Sequence, residues 1–167
     1  MLRIKVQGTE LEFEHSLVSL SKWESIHEKP FFSWRKDDTK TQEEMLSYFE
    51  QMLISPVGRT DLVAILTPED HVALVEYINS SQTATTVREV QQKSGPKENV
   101  TSELIYFWMI SFEIDWEAQN WHLNRLMTLI RICSVKNSKP QKQPASSTAA
   151  KYREMNEARR KKLGTSG

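Results

Sequence analysis

The sequence has a single cysteine, Cys133, and this scarcity excludes several kinds of protein. One cysteine can form neither an intrachain disulfide nor the Cys/His cluster of a structural zinc site. Without a disulfide framework, the sequence favours an intracellular setting. The first 16 residues also lack the uninterrupted apolar run of a secretory signal peptide, because Arg3, Lys5, Glu10, Glu12 and Glu14 interrupt it. No export signal is therefore predicted.

Catalytic motifs are missing as well. The sequence contains no phosphate-binding loop, no dinucleotide-binding glycine pattern, and neither the HExxH nor the GxSxG motif. The four histidines (His15, His27, His71 and His122) are scattered, and no two have the spacing of a metal site on one helix. We therefore predict a non-enzymatic protein with no cofactor and no metal site. A small hydrolase or nucleotide-binding enzyme is the least favoured alternative.

Two pairs of polar residues are functional candidates. His122 and Arg125 lie three apart, which suits a clamp for phosphate or carboxylate, but the pattern favours partly buried residues bonded at a seam between helices. Asp115 and Glu117 suit a pair of catalytic acids, but they are better explained as caps at the start of the following helix.

A net charge of zero conceals a strong asymmetry along the chain. Residues 1–133 contain 13 Lys/Arg and 20 Asp/Glu, a balance of −7, while residues 134–167 contain 9 and 2, a balance of +7. An acidic body with a basic tail can fold back on itself, pair with copies of itself, or bind another acidic surface. A solvated tail with no partner is the alternative.

Alternating apolar and polar residues predict a β-hairpin over residues 1–15. Leu2, Ile4 and Val6 share one face of the first strand, and Leu11 and Phe13 share a face of the second. Gly8 suits the turn between them, because glycine adopts positive φ without steric cost.

Helices are predicted after the hairpin. The first, ended by Pro30, has Ser19 or Ser21 as its cap, and the second runs over residues 41–55 with Thr41 and Glu44 at capping-box spacing. Residues 61–66 fit either a buried strand or a helical turn. The next helix begins after Thr67.

The second half of the chain is predicted to contain a polar loop followed by two apolar helices. The loop covers residues 81–100, and the helices cover about 102–113 and 117–134 with a turn at Asp115. Together the elements give an α+β fold: an N-terminal β-hairpin packed on a mainly helical bundle. The globular domain spans residues 1–137.

A tail follows this domain. Residues 138–149 are rich in Pro, Ser and Lys and are predicted to be a linker. Residues 150–167 are predicted to be a basic arm containing a short helix over about 150–163. The basic run Arg159, Arg160, Lys161 and Lys162 is a candidate contact surface for an acidic partner.

Residues 105–123 are unusually rich in aromatic side chains. As a membrane span they fail, because Glu113, Asp115 and Glu117 interrupt them short of the roughly 20 apolar residues required. As a stacking platform for nucleic acid they lack interleaved Lys and Arg, since the first basic residue is Arg125. The acidic body also argues against nucleic acid as the main partner. A hydrophobic core remains the best interpretation.

The first of the two apolar helices is apolar nearly all round, which is typical of a central helix or an interface helix. Its surplus residues Tyr106, Phe107 and Ile110, together with Trp34, are therefore candidate partner-binding residues. Four residues are predicted to belong to the structural core: Trp108, Trp121, His122 and Arg125.

Three blocks resemble a known family. They are "SLSKWESIHEKPF" (19–31), "TSELIYFWMISFEIDWEAQNWHLNRLMTLIRICSVKN" (101–137) and "NEARRKKLGTSG" (156–167), of which the Trp-His-Leu-Asn-Arg run is the most specific. The chain resembles proteins encoded in the tail-morphogenesis region of tailed bacteriophages, described as tail assembly chaperones or small tail proteins.

The resemblance implies a protein that holds the tape-measure protein while tail-tube subunits polymerise, and it brings no catalytic residues. Partners would be tape-measure, tube or baseplate subunits, with a homo-oligomer left open and no membrane association. The expected location is the host cytoplasm during assembly. The alternative is a structural component of the virion tail or baseplate, whose C-terminal arm is ordered by neighbouring subunits.

Overall fold

A computed structural model describes residues 1–32, 40–58, 60–85, 99–137, 153–160 and 162. The chain divides into two compact units, Met1–Ser134 and Val135–Gly167. The predicted linker, residues 138–149, lies outside the described residues, so the domain boundary at residue 137 stays a prediction.

The predicted β-hairpin is confirmed. Strands β1 (Leu2–Val6) and β2 (Thr9–Phe13) are antiparallel, with Ile4 opposite Leu11. The turn between them has positive φ at Gln7 (48°) and Gly8 (83°). Because cross-strand partners lie on the same face of a sheet, the apolar sets of the two strands form one buried face.

A third strand, β3 (Leu53–Ser55), was not predicted. It pairs antiparallel with β2 and completes a sheet of order β1-β2-β3. The sequence pattern predicted a helix over residues 41–55. The observed helix α2 covers only Gln42–Met52, and the strand follows directly. Pro56 disfavours helical backbone at Ser55, and pairing with β2 provides hydrogen-bond partners for an extended segment.

Helix α1 spans Leu17–His27, and its N-cap is Ser16 rather than Ser19 or Ser21. The Ser16 hydroxyl accepts from the backbone N–H of Ser19 at 3.2 Å, so the helix begins directly after the sheet strand. Ser19 instead donates its hydroxyl proton to the carbonyl of Glu14 at 2.9 Å. Glu28, with φ 51°, is the C-cap that follows the last helical residue, His27.

Two predicted caps are confirmed. Thr41 and Glu44 form the capping box of α2, and Thr67 caps α4 (Pro68–Asn79) with Pro68 in the first turn. Residues 61–66 had fitted either a strand or a helical turn, and the structure has the one-turn helix α3 (Thr60–Val63).

The aromatic region contains three helical elements where two were predicted. Helix α5 spans Ser102–Ser111, a 3-10 helix spans Trp116–Asn120, and α6 spans Leu123–Asn137. Helix α6 starts later than predicted because His122 forms a bridge with Ser16, and the N–H of Leu123 donates to the carbonyl of His15 at 2.7 Å. That bridge joins the end of the hairpin to the start of α6.

The core of the first unit lies between the sheet and the surrounding helices. Its largest fully buried side chains include Trp23, Tyr48 and Phe13. A buried carboxylate, Glu24 of α1, accepts the N–H of Phe31 at 2.8 Å and the N–H of Ser102 at 2.7 Å. Ser102 is the first residue of α5, so this charge also lies at the positive end of the helix dipole.

In the second unit, residues 153–160 and 162 are helical, within the segment predicted to contain a short helix. With the three-stranded sheet and the helices of the first unit, these observations confirm the α+β fold class.

Candidate protein-binding surface

Helix α5 exposes large apolar side chains on one face. Phe107 is 60% exposed and Ile110 is 66% exposed, while Ile105 and Met109 on the opposite side are fully buried. The cause is the composition of the helix, which is apolar nearly all round, so that packing against α1 covers only part of it.

Two further residues extend the exposed face. Tyr106 lies one turn before Ile110 and stacks on Trp116 of the 3-10 helix, with ring centroids 5.2 Å apart and planes inclined by 26°. The Tyr106 hydroxyl donates to Oε1 of Gln119 at 3.1 Å, and burial raises its pKa. We call Tyr106, Phe107, Ile110 and Trp116 the apolar strip. Tyr106 is half-buried, so it supports Trp116 (54% exposed) more than it offers contact area itself.

Carboxylates flank the apolar strip. Glu103 is one helical turn before Phe107, and the chain after α5 contributes three more exposed acids, so the acidic border consists of Glu103, Glu113, Asp115 and Glu117. Residues 99–124 contain no Lys or Arg, so no base within this stretch offsets the negative charge. As predicted, Asp115 is a cap: its Oδ1 accepts the N–H of Glu117 at 2.8 Å, although the helix it caps is the 3-10 helix rather than α6.

The other predicted contact residues lie elsewhere. Trp34 and Lys161 are outside the described residues. Arg159, Arg160 and Lys162 are exposed helical residues of the second unit. Of the predicted partner-binding residues, only those of α5 are therefore brought together in the first unit.

Three of the four predicted core residues lie at the core, and one does not. Trp108 and Trp121 are partly buried against the core, and His122 is 6% exposed. Arg125 is exposed, contrary to the prediction, and its guanidinium lies 4.3 Å from the ring centroid of Trp121. Because α6 begins only at Leu123, Arg125 lies in its first turn and reaches back over Trp121, which precedes the helix.

A seam of buried polar side chains lies beside the sheet. The sequence predicted the hydrogen-bonded, partly buried position of His122 but not its neighbours in this seam. A 2.5 Å hydrogen bond joins Nδ1 of His15 to the hydroxyl of Tyr48. His122 donates from Nε2 to the carbonyl of Tyr77 at 3.0 Å, and the Tyr77 hydroxyl donates to Glu14 at 2.6 Å. One signal could have revealed His15: it continues the alternation of Leu11 and Phe13 on the buried face.

Burial shifts the pKa values of the ionisable side chains in this seam. It lowers the pKa of His15 to about 3, with a smaller contribution from nearby His122, and it also lowers the pKa of His122. The pKa values of Tyr48 and Tyr77 are raised, chiefly by burial. Both imidazoles are therefore neutral at pH 7.

An open groove of about 440 Å³ lies between the end of α4 and α6. Some of its polar side chains already form hydrogen bonds within the protein. Asn124 donates to the carbonyls of Ile78 and Ser80, both at 2.8 Å, and the hydroxyl of Thr128 donates to the carbonyl of Asn124. The groove therefore offers a ligand fewer free donors than its lining residues suggest.

Within the described parts of the chain, no group of three or more His, Cys, Asp or Glu residues could hold a metal ion. None of the helices described is both long and apolar enough to cross a bilayer.

Comparison with protein-family models, curated proteins and solved structures gives no match for this chain. The resemblance to phage tail proteins therefore stays a prediction.

Proposed function

We propose that this chain is a non-enzymatic bacteriophage tail-assembly factor that holds another tail protein against the apolar strip of α5. The exposure of Phe107 and Ile110 supports this proposal most directly. The core of the first unit is complete without them, since Ile105 and Met109 already anchor the helix. Large apolar side chains that lie together on one exposed face are typical of surfaces that bind other proteins.

The form of the strip suits a helical partner. Phe107 and Ile110 lie three residues apart on one face, and a partner helix can place its own apolar residues between them at similar spacing. The tape-measure protein, which the family resemblance names as partner, is a long helical protein. The acidic border would orient the partner, because rim charges contribute more to specificity than to affinity.

Capture from infected cells tests the proposal. A tagged full-length chain is expected to retain the tape-measure protein, and the double variant Phe107→Glu/Ile110→Glu is expected to lose it, because two carboxylates would be buried unpaired at the interface. Val72→Glu/Val75→Glu is a matched control. These valines are also exposed (58% and 42%) and three apart, but they lie on α4. Equal loss in both variants, or capture unaffected by the α5 variant, would contradict the proposed surface.

Mass spectrometry of purified virions tests the assembly role separately. An assembly factor is expected to be absent from mature particles. Stoichiometric copies in the particles would overturn the chaperone role and support the alternative, a structural component of the tail or baseplate.

A further inference from the structure

The acidic border of the apolar strip and the second unit carry opposite charges. The strip is flanked by Glu103, Glu113, Asp115 and Glu117, all exposed, within a stretch free of Lys and Arg. An apolar surface with such a border is complementary to a segment that combines apolar side chains with several positive charges.

The C-terminal end of the helix in the second unit has this chemistry, although residues 153–160 as a whole contain three arginines and two glutamates, a balance of +1. Residues 153–160 are exposed. Met155, which is 49% exposed, is the large apolar residue of this helix. Arg159 lies one turn after Met155 on the same face, with Arg160 and Lys162 following. A methionine flanked by long cations can make apolar contact while its neighbours reach carboxylates at the rim.

We propose that the helix of residues 153–160 of one copy docks on the apolar strip of a second copy. The inference uses the same strip as the proposed function and names a further occupant for it. The charges permit pairing between copies, because each copy has a net charge of zero, with −7 in residues 1–133 that can meet the +7 in residues 134–167 of the other copy. Two copies can exchange tails, so that each strip is covered by the other's basic helix.

This docking would regulate partner binding. A strip covered by a second copy is shielded from nonspecific apolar contacts, and a tail protein with higher affinity displaces the basic helix. Because the attraction is between exposed charges, self-association is expected to weaken as salt rises.

The test uses sedimentation of the full-length chain and two charge-reversed variants. The tail variant is Arg159→Glu/Arg160→Glu, and the strip variant is Glu113→Lys/Glu117→Lys. The unmodified chain is expected to self-associate at low salt, and each variant alone is expected to associate roughly tenfold more weakly, because like charges then meet at the contact. An equimolar mixture of the two variants is expected to recover association. The tail that now carries glutamates in one variant meets the border that now carries lysines in the other.

A control separates docking from general charge attraction. Glu69→Lys/Glu76→Lys changes the net charge by the same amount on exposed positions of α4. It is expected to leave self-association close to that of the unmodified chain. The proposal is overturned if this control weakens association as much as the strip variant, if the mixture fails to associate, or if the unmodified chain is monomeric at low salt.

These outcomes are independent of the proposed function. The tail variant retains Phe107 and Ile110, so it is expected to capture the tape-measure protein at least as well as the unmodified chain. Loss of self-association with capture intact would support both proposals. Unimpaired self-association without capture would contradict only the proposed function.

Discussion

The two faces of helix α5 are similar in composition and opposite in environment. Ile105 and Met109 are fully buried, whereas Phe107 and Ile110 are 60% and 66% exposed on the same ten-residue helix. Burying the first face is enough to attach the helix to the fold. The second face lies largely in water, and the partner that we propose for it would cover these side chains.

The largest effect expected from this comparison is at Ile105. Replacing this side chain, which is fully buried, by alanine leaves a cavity beside α1. The variant Ile105→Ala is expected to lower the free energy of unfolding by about 2–5 kcal/mol, measured by urea denaturation. A loss below about 0.5 kcal/mol would show that the buried face does not anchor α5, and the contrast between the faces would no longer hold.

The sequence predicted the contrast in α5 because a helix that is apolar all round cannot be covered by one small core. It also predicted the hairpin and the caps at Thr41 and Thr67, each of which depends on local chemistry over a few residues. Gly8 and the alternation on either side of it were sufficient for the hairpin turn.

The features that the sequence did not reveal depend on contacts between distant residues. Strand β3 exists through its pairing with β2, and α6 starts late because His122 bridges to Ser16. Arg125 was predicted to lie in the core, but the shifted start of α6 places it on the surface over Trp121. No local pattern encodes the pairing of β2 with β3 or of Ser16 with His122, because these partners lie tens of residues or more apart along the chain.

A second prediction concerns the buried seam beside the sheet and uses pH. Burial lowers the pKa of His15 to about 3, against about 6.5 for an unfolded histidine. Below pH 6.5 the unfolded chain therefore binds a proton that the folded chain does not, and stability falls as pH falls towards 3. Each pH unit in this window costs about 1.4 kcal/mol, and His122, whose pKa is also lowered, acts in the same direction.

Urea denaturation at pH 7.5 and pH 5 measures this effect. The variant His15→Gln is expected to lose less stability than the unmodified chain between these two values, by about 2 kcal/mol. Tyr48→Phe is the control: it removes the hydroxyl bonded to His15 but leaves the imidazole buried, so it lowers stability at both pH values and keeps the pH dependence. An unchanged pH dependence in His15→Gln would contradict the assignment.

The smallest effect on stability is expected at Ile110. Ile110→Ala makes the same chemical change as Ile105→Ala, on the same helix, five residues later. Because Ile110 is 66% exposed, its truncation opens no cavity, and the higher helix propensity of alanine offsets part of the lost contact. The free energy of unfolding is expected to change by less than about 0.5 kcal/mol, while capture of the tape-measure protein weakens. A loss of stability as large as that of Ile105→Ala would show that the exposed face supports the fold, and the reason for assigning it to a partner would disappear.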